Sequence, residues 1–201
     1  MDPVPFARHA PTNRVVRTFA FVDLCGFTDY ADRSGDEAAV TELKELRSAV
    51  REVAPLCGVR VDKWLGDGAM LVGVDAEPVV TATVAVMVRL EGHGHLAMRA
   101  GIATGPVLLL EGDDYVGRAV NVAARLCDQA QAGQVLACSD GLDIPEWVEA
   151  TPQPSVKVRG LAQPVEILDL APLHLPGPAR NLLTLVQGLT RPVRARRAAR
   201  E

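Results

Sequence analysis

Aromatic residues are scarce in this 201-residue chain: two Trp, two Tyr and four Phe, 4% of the total. The core must therefore come from Val, Leu, Ala and Ile, and the 48% hydrophobic content allows one of ordinary size. The four cysteines, Cys25, Cys57, Cys127 and Cys138, form no C-x-x-C pair and have no zinc-finger spacing. That excludes a disulfide scaffold and a structural zinc site, so they read as reduced, mostly buried thiols. Long apolar runs are missing too. The longest mostly apolar stretch, residues 79–88, is far short of the roughly 20 residues that span a bilayer. The polar, proline-broken start is not a signal peptide. A soluble, cytoplasmic protein with no transmembrane segment is expected. A basic body is absent as well. The net charge is −4, yet the last eleven residues carry five Arg and one Glu (+4), so the other 190 sum to −8. This argues against a nucleic-acid binder, which displays a basic face, and suits a protein that gathers carboxylates around cations.

What is present is an alternation of strand and helix patterns. Residues 1–16 hold three prolines and no periodicity, and read as a flexible lead-in. The body runs over 17–170. Residues 171–201 read as a linker, an amphipathic segment at 179–189, and an Arg-rich, solvated end whose one further option is contact with an anionic surface such as a membrane. Within the body, 18–24 is a buried strand and 36–53 a helix, with apolar residues at 39, 40, 43, 46, 50 and 53. Residues 59–64 and 69–74 form a hairpin around Gly66-Asp67-Gly68. Residues 78–90 and 117–131 are helices. Residues 97–103 and 107–110 flank Thr104-Gly105-Pro106 as a second strand pair. A short strand follows at 134–138, and a last pair at 156–159 and 164–168. The order predicts an α+β fold with a ferredoxin-like βαββαβ core, an antiparallel sheet with helices on one face, and appended strands and helices.

Such a fold hosts many chemistries, so function must come from side chains. Asp23 ends the first strand next to the Gly26-Phe27-Thr28 turn. A carboxylate there can take a cation while the amides of the turn take phosphate oxygens, although a turn aspartate looks the same. Asp67 lies in the hairpin turn, where Asp-Gly is common in any case. The fold brings these two positions together, and two close carboxylates repel unless a cation bridges them. Asn121 and Arg125 are four apart on one helix, as a solvated flank would also be, and together can meet developing phosphoryl charge. Lys63 precedes Asp67 by four residues; strand alternation sends its neighbour Asp62 to the other face. His93 and His95 flank Gly94 without a third ligand nearby, and read as a solvated loop.

Three runs in order carry more than these residues do singly. They are Phe21-Val-Asp23-Leu-Cys-Gly26-Phe27-Thr28, then Lys63-Trp-Leu-Gly66-Asp67-Gly68, then Asp114 through Gly117 and Asn121 to Arg125-Leu126. Together with Arg99-Ala-Gly101 and the closing Val158-Arg159-Gly160, they resemble the class III nucleotidyl cyclase catalytic domain over residues 17–168. The resemblance implies that Asp23 and Asp67, with the backbone carbonyl of Leu24, hold two divalent cations, Mg²⁺ or Mn²⁺. It implies that Lys63 and Asp114 select adenine, that Asn121 and Arg125 orient the ribose and stabilise charge at the α-phosphate, and that Arg159 is a candidate for the triphosphate. ATP is then the substrate and cyclic AMP the product, at sites formed between two chains in a head-to-tail homodimer. The alternatives are a non-catalytic ATP-binding regulatory module, a guanylyl-specific cyclase, or another two-metal nucleotidyl transferase. A diguanylate cyclase would need a Gly-Gly-acidic-acidic-Phe turn, which the chain lacks.

Overall fold

The computed structural model of the chain describes residues 14–110, 114–158 and 163–173. Most of the expected lead-in, Arg159, the 179–189 segment and the Arg-rich end lie outside them. The elements are β1 (Arg14–Leu24), α1 (Phe27–Ser34), α2 (Asp36–Val53), a 3-10 turn (Pro55–Cys57), β2 (Arg60–Leu65), β3 (Gly68–Gly73), α3 (Ala76–Leu90), β4 (Met98–Leu109), β5 (Tyr115–Val116), α4 (Arg118–Gln129), β6 (Val135–Cys138), β7 (Val148–Val156) and β8 (Val165–Pro172). The sheet order is β2-β3-β1-β4-β6-β8-β7, with β5 paired to β4. The first four strands in that order, with α2 and α3, make the expected ferredoxin-like core.

The period-two alternation of β1 organises both faces. Ala20, Val22 and Leu24 point into one core with Leu46, Ala49 and Val50 of α2 and Val80 and Val84 of α3. Phe19 points the opposite way, into a second core with Met70 and Val72 of β3 and Ala119, Val122, Ala123 and Leu126 of α4. Helices on one face is therefore correct for α2 and α3 and wrong for α4, which covers the other face. The sheet is also not wholly antiparallel: β4 and β6 run parallel, because α4 is the crossover connection between them. Helix α4 lies close against β4 because Gly101 has no side chain. A Cβ there would collide with the Ala123 carbonyl oxygen and the Cys127 amide. We expect Gly101→Ala to destabilise the fold by about 1–3 kcal/mol, read by urea denaturation; unchanged stability would show that α4 is free to shift.

Three strand expectations need correction. The expected pair around Thr104-Gly105-Pro106 is one continuous strand, β4, whose far half is held extended by pairing with Arg14–Thr18 of a longer β1. Residues 14–16 thus belong to the sheet. Strand β7 starts at Val148 rather than 156, its prolines 152 and 154 being tolerated at the sheet edge. The turn after Gly26 (φ +71°) opens into a two-turn helix, α1, that sequence periodicity did not reveal. The buried Glu42 of α2 receives amide hydrogens from His95 and Leu96 at 2.9–3.2 Å, which fixes the loop before β4. All four cysteines are free thiols. No helix among the described residues is long and apolar enough to cross a membrane.

Candidate active site

The side chains of interest lie on and around the α4 face of the sheet. Asp23 shares that face with Phe19 and Phe21 by strand alternation, and is cross-strand from Gly68 on one side and Arg99 on the other. Arg99 donates to Asp23 Oδ2 through Nε at 2.9 Å and through a terminal nitrogen at 2.7 Å. A Cβ on Gly68 would lie 3.3 Å from Asp23 Oδ1 and would collide with the Val22 carbonyl, so this glycine leaves room beside the carboxylate. The β2–β3 turn carrying Asp67 is tied to the same strand end: the Leu24 amide donates to the Asp67 carbonyl at 3.3 Å. Gly26 caps α1, Phe27 and Thr28 form its first turn, and no side chain caps the amides there.

The electrostatics of this corner fit a cation. Burial pushes the Asp23 carboxyl above its ordinary value; the Arg99 hydrogen bonds pull it down, and the negative charge of Asp67 pushes it up again. A half-buried carboxylate held beside a second one is stabilised by a positive ion between them. Among the described residues no group of three or more His, Cys, Asp or Glu side chains could hold a metal. Asp23 and Asp67 would therefore need the Leu24 carbonyl and a substrate's own oxygens to complete a coordination shell.

Lys63 and Asp114, 51 residues apart in sequence, meet directly: Lys63 Nζ donates to Asp114 Oδ1. That hydrogen bond raises the Lys63 pKa. A β-bulge makes the meeting possible. Arg60 is opposite Val72 and Val61 opposite Leu71, but Lys63 is opposite Met70, so Asp62 is the extra residue. Strict alternation would send Lys63 to the α2 face; the bulge returns it to the α4 face, beside Arg60. Asp62 does not turn away as alternation predicts. It accepts from Arg60 at 2.7 Å and contributes to the raised Lys63 pKa.

Asn121 and Arg125 are exposed on the outer side of α4. Arg125 pairs with Asp128 at 3.2 Å, one turn on. Among the described residues neither makes a hydrogen bond or ion pair with Asp23, Asp67, Lys63 or Asp114. Arg159 lies outside the described residues. Three residues beyond those picked out by sequence belong to this face. Arg99 grips Asp23 and also donates to the Asp128 carbonyl at 3.1 Å. Tyr115 packs edge-on against Phe19, with ring centroids 5.2 Å apart. Arg60 donates to the Tyr115 hydroxyl at 3.3 Å. Arg99 lies in one of the runs that carry the resemblance, but its pairing with Asp23 follows only from the β1–β4 register.

No known family profile matches the chain. An uncharacterized protein of Mycobacterium bovis is 35% identical over 152 residues, 75% of this chain and 40% of that one. A pH-sensitive adenylate cyclase of Mycobacterium tuberculosis is 31% identical over 138 residues, 67% of this chain and 32% of that one. Among solved structures, the adenylyl cyclase CyaB of P. aeruginosa matches with a TM-score of 0.68 at 25% identity, covering 81% of this chain and 96% of that one. The guanylyl cyclase Cya2 matches with a TM-score of 0.72, also at 25% identity, covering 83% and 97%. The chain belongs to the class III nucleotidyl cyclase catalytic domains. The chain spans about a third to two fifths of the length of these two curated relatives. Its similarity extends to both adenylyl and guanylyl enzymes, so the choice of base must be read from its own side chains.

Proposed function

We propose that this cyclase domain converts ATP to 3′,5′-cyclic AMP and pyrophosphate, in the cytoplasm, at a site shared by two copies of the chain placed head to tail. The observation that carries the reading is the Lys63–Asp114 pair. Adenine offers a ring acceptor at N1 and a donor amino group at N6. A lysine ammonium donates to the first and a carboxylate accepts from the second. Guanine presents the opposite pattern and would leave both groups unpaired, which discriminates strongly.

In the reaction the ribose 3′-hydroxyl gives up its proton to solvent as its oxygen bonds to the α-phosphorus, the bond from that phosphorus to the bridging oxygen breaks, and pyrophosphate leaves with the electron pair. Two divalent cations, Mg²⁺ or Mn²⁺, held by Asp23, Asp67 and the Leu24 carbonyl, would supply Lewis-acid charge to the nucleophile and the triphosphate. The uncapped amides at Gly26, Phe27 and Thr28 suit phosphate oxygens. Asn121 orients the ribose, and Arg125, whose side chain is 54% exposed, reaches the α-phosphate of a nucleotide bound to the carboxylates of the other copy. The test is cyclic AMP formation by the purified chain with either metal. ATP binding without cyclic AMP would instead identify a regulatory module. Replacing the base-selecting pair, Lys63→Glu with Asp114→Cys, is expected to lower the ATP:GTP ratio of kcat/KM by about 100-fold or more. An unchanged ratio would refute their role.

A further inference from the structure

Asp114 is carried by very little structure. Strand β5 is two residues long and, among the described residues, joins the sheet through β4 alone, with Tyr115 opposite Leu109 and Val116 opposite Leu108. One further backbone bond closes this end, from the Leu110 amide to the Asp114 carbonyl at 2.8 Å. A strand this short does not hold its own position in water. Side chains must fix it, and two from β2 do so. Lys63 grips Asp114, and Arg60 donates to the hydroxyl of the adjacent Tyr115 at 3.3 Å. The Asp62 bulge puts both cations on this face, and Asp62 in turn holds Arg60 at 2.7 Å. The Tyr115 ring is set edge-on against the fully buried Phe19, with an interplanar angle of 68°.

Binding a purine changes this balance. To donate to N1 and accept from N6, Lys63 and Asp114 must exchange their bond to each other for bonds to the base. The contact that anchors Asp114 to β2 is then spent on the ligand. We infer that Tyr115 and Arg60 are positioning residues for base selection: the Arg60–Tyr115 hydrogen bond, backed by Phe19, keeps the Asp114 carboxylate in register with Lys63 once the two have turned to the base. This rests on the reading of Lys63 and Asp114 as the base-selecting pair. Neither Tyr115 nor Arg60 need touch the nucleotide.

The experiment compares Tyr115→Phe and Arg60→Met with the wild-type chain, using ATP and GTP with Mn²⁺. It reads the ratio of kcat/KM and, by calorimetry, the ratio of dissociation constants. Tyr115→Phe keeps the ring against Phe19 and removes only the hydroxyl. Each variant is expected to lower the ATP:GTP preference about 3- to 10-fold, the scale of one modest hydrogen bond, mostly through KM for ATP with kcat little changed. Arg60→Lys, which keeps a donor, should recover part of the preference. Because Tyr115 acts through Asp114, adding Tyr115→Phe to Asp114→Ala should change the preference no further. Unchanged preference in both single variants, while Asp114→Ala lowers it, would overturn the positioning role alone. Unchanged preference in Asp114→Ala itself would show that the base-selecting reading had failed and would remove the positioning role with it. A uniform loss of kcat for both nucleotides with a lowered melting temperature would assign Tyr115 to folding and likewise overturn the inference.

Discussion

Asp67→Ala and Arg125→Ala proteins, each almost inactive alone, are expected to regain about a quarter of wild-type cyclase activity when mixed in equal amounts. The fraction follows from symmetry. The proposed two-fold dimer would have two equivalent sites, each taking the carboxylates from one copy and the α4 residues from the other. In a heterodimer of the two variants one site has lost both residues and the other is intact. Random re-pairing makes about half of the dimers heterodimers, each with one working site of two. The structural basis is a separation. Asp67 sits in the β2–β3 turn beside the end of β1, whereas Arg125 faces outward from α4 and pairs within its own helix with Asp128. Both substitutions are on accessible side chains, where the effect on stability is usually within about 0.5 kcal/mol. Loss of activity would therefore report on the site. Specific activity should also fall on dilution as dimers separate. No recovery, with heterodimers demonstrated by differential tags, would rule out a shared site and return Asn121 and Arg125 to the role of a solvated helix flank.

The elements legible in the sequence were those whose period matched their environment. Helix α2 begins and ends at the predicted residues because its apolar stripe at Ala39, Leu46 and Val50 is continuous and faces one core. The β2–β3 hairpin was marked by Gly66 and Gly68. What escaped was set by tertiary pairing. Gly105-Pro106 reads as a turn, yet the chain stays extended because Arg17 and Val16 pair with these residues. Strand β7 reads as a loop because its prolines are acceptable only at an edge, and the edge is known only from the sheet order. The same division holds at the site. Asp23, Asp67, Lys63, Asp114, Asn121 and Arg125 stood out as motifs. Arg99 and Tyr115 lay inside matching runs and Arg60 outside them, yet no role was legible for any of the three, since their meaning comes from register and from a bulge that reverses the face of Lys63. The bulge has no local signature in Arg60-Val-Asp62-Lys63, and is recognisable only from which residue is opposite Met70.

Asp23→Asn is expected to abolish cyclase activity, by about 100-fold or more, while raising the melting temperature of the metal-free protein at neutral pH. The two effects have one cause. Burial is the largest influence on the Asp23 carboxyl, and with the charge of Asp67 it outweighs the hydrogen bonds from Arg99, so the folded-state pKa lies above the ordinary carboxylate value. A carboxylate with a raised folded-state pKa opposes folding when ionised. Between the unfolded and folded pKa values the folded protein binds more protons than the unfolded chain, so stability falls as pH rises through that window and stays lower at neutral pH. Asparagine has the same shape and no charge, and its amide oxygen can still accept from Arg99. The stability advantage of Asp23→Asn should therefore shrink as the pH is lowered through the raised Asp23 pKa, because the wild-type side chain then becomes neutral as well. A divalent cation should act the opposite way. Mn²⁺ or Mg²⁺ binding to the folded wild type raises its melting temperature by mass action, and the variant should show little of that gain. Thermal melts of both proteins with and without metal, at neutral pH and near pH 4, measure all of this independently of turnover. If Asp23→Asn keeps activity within tenfold of wild type, or gains as much thermal stability from Mn²⁺ as the wild type does, Asp23 is not a metal carboxylate. The corner between β1 and the hairpin would then be an ordinary turn braced by Arg99.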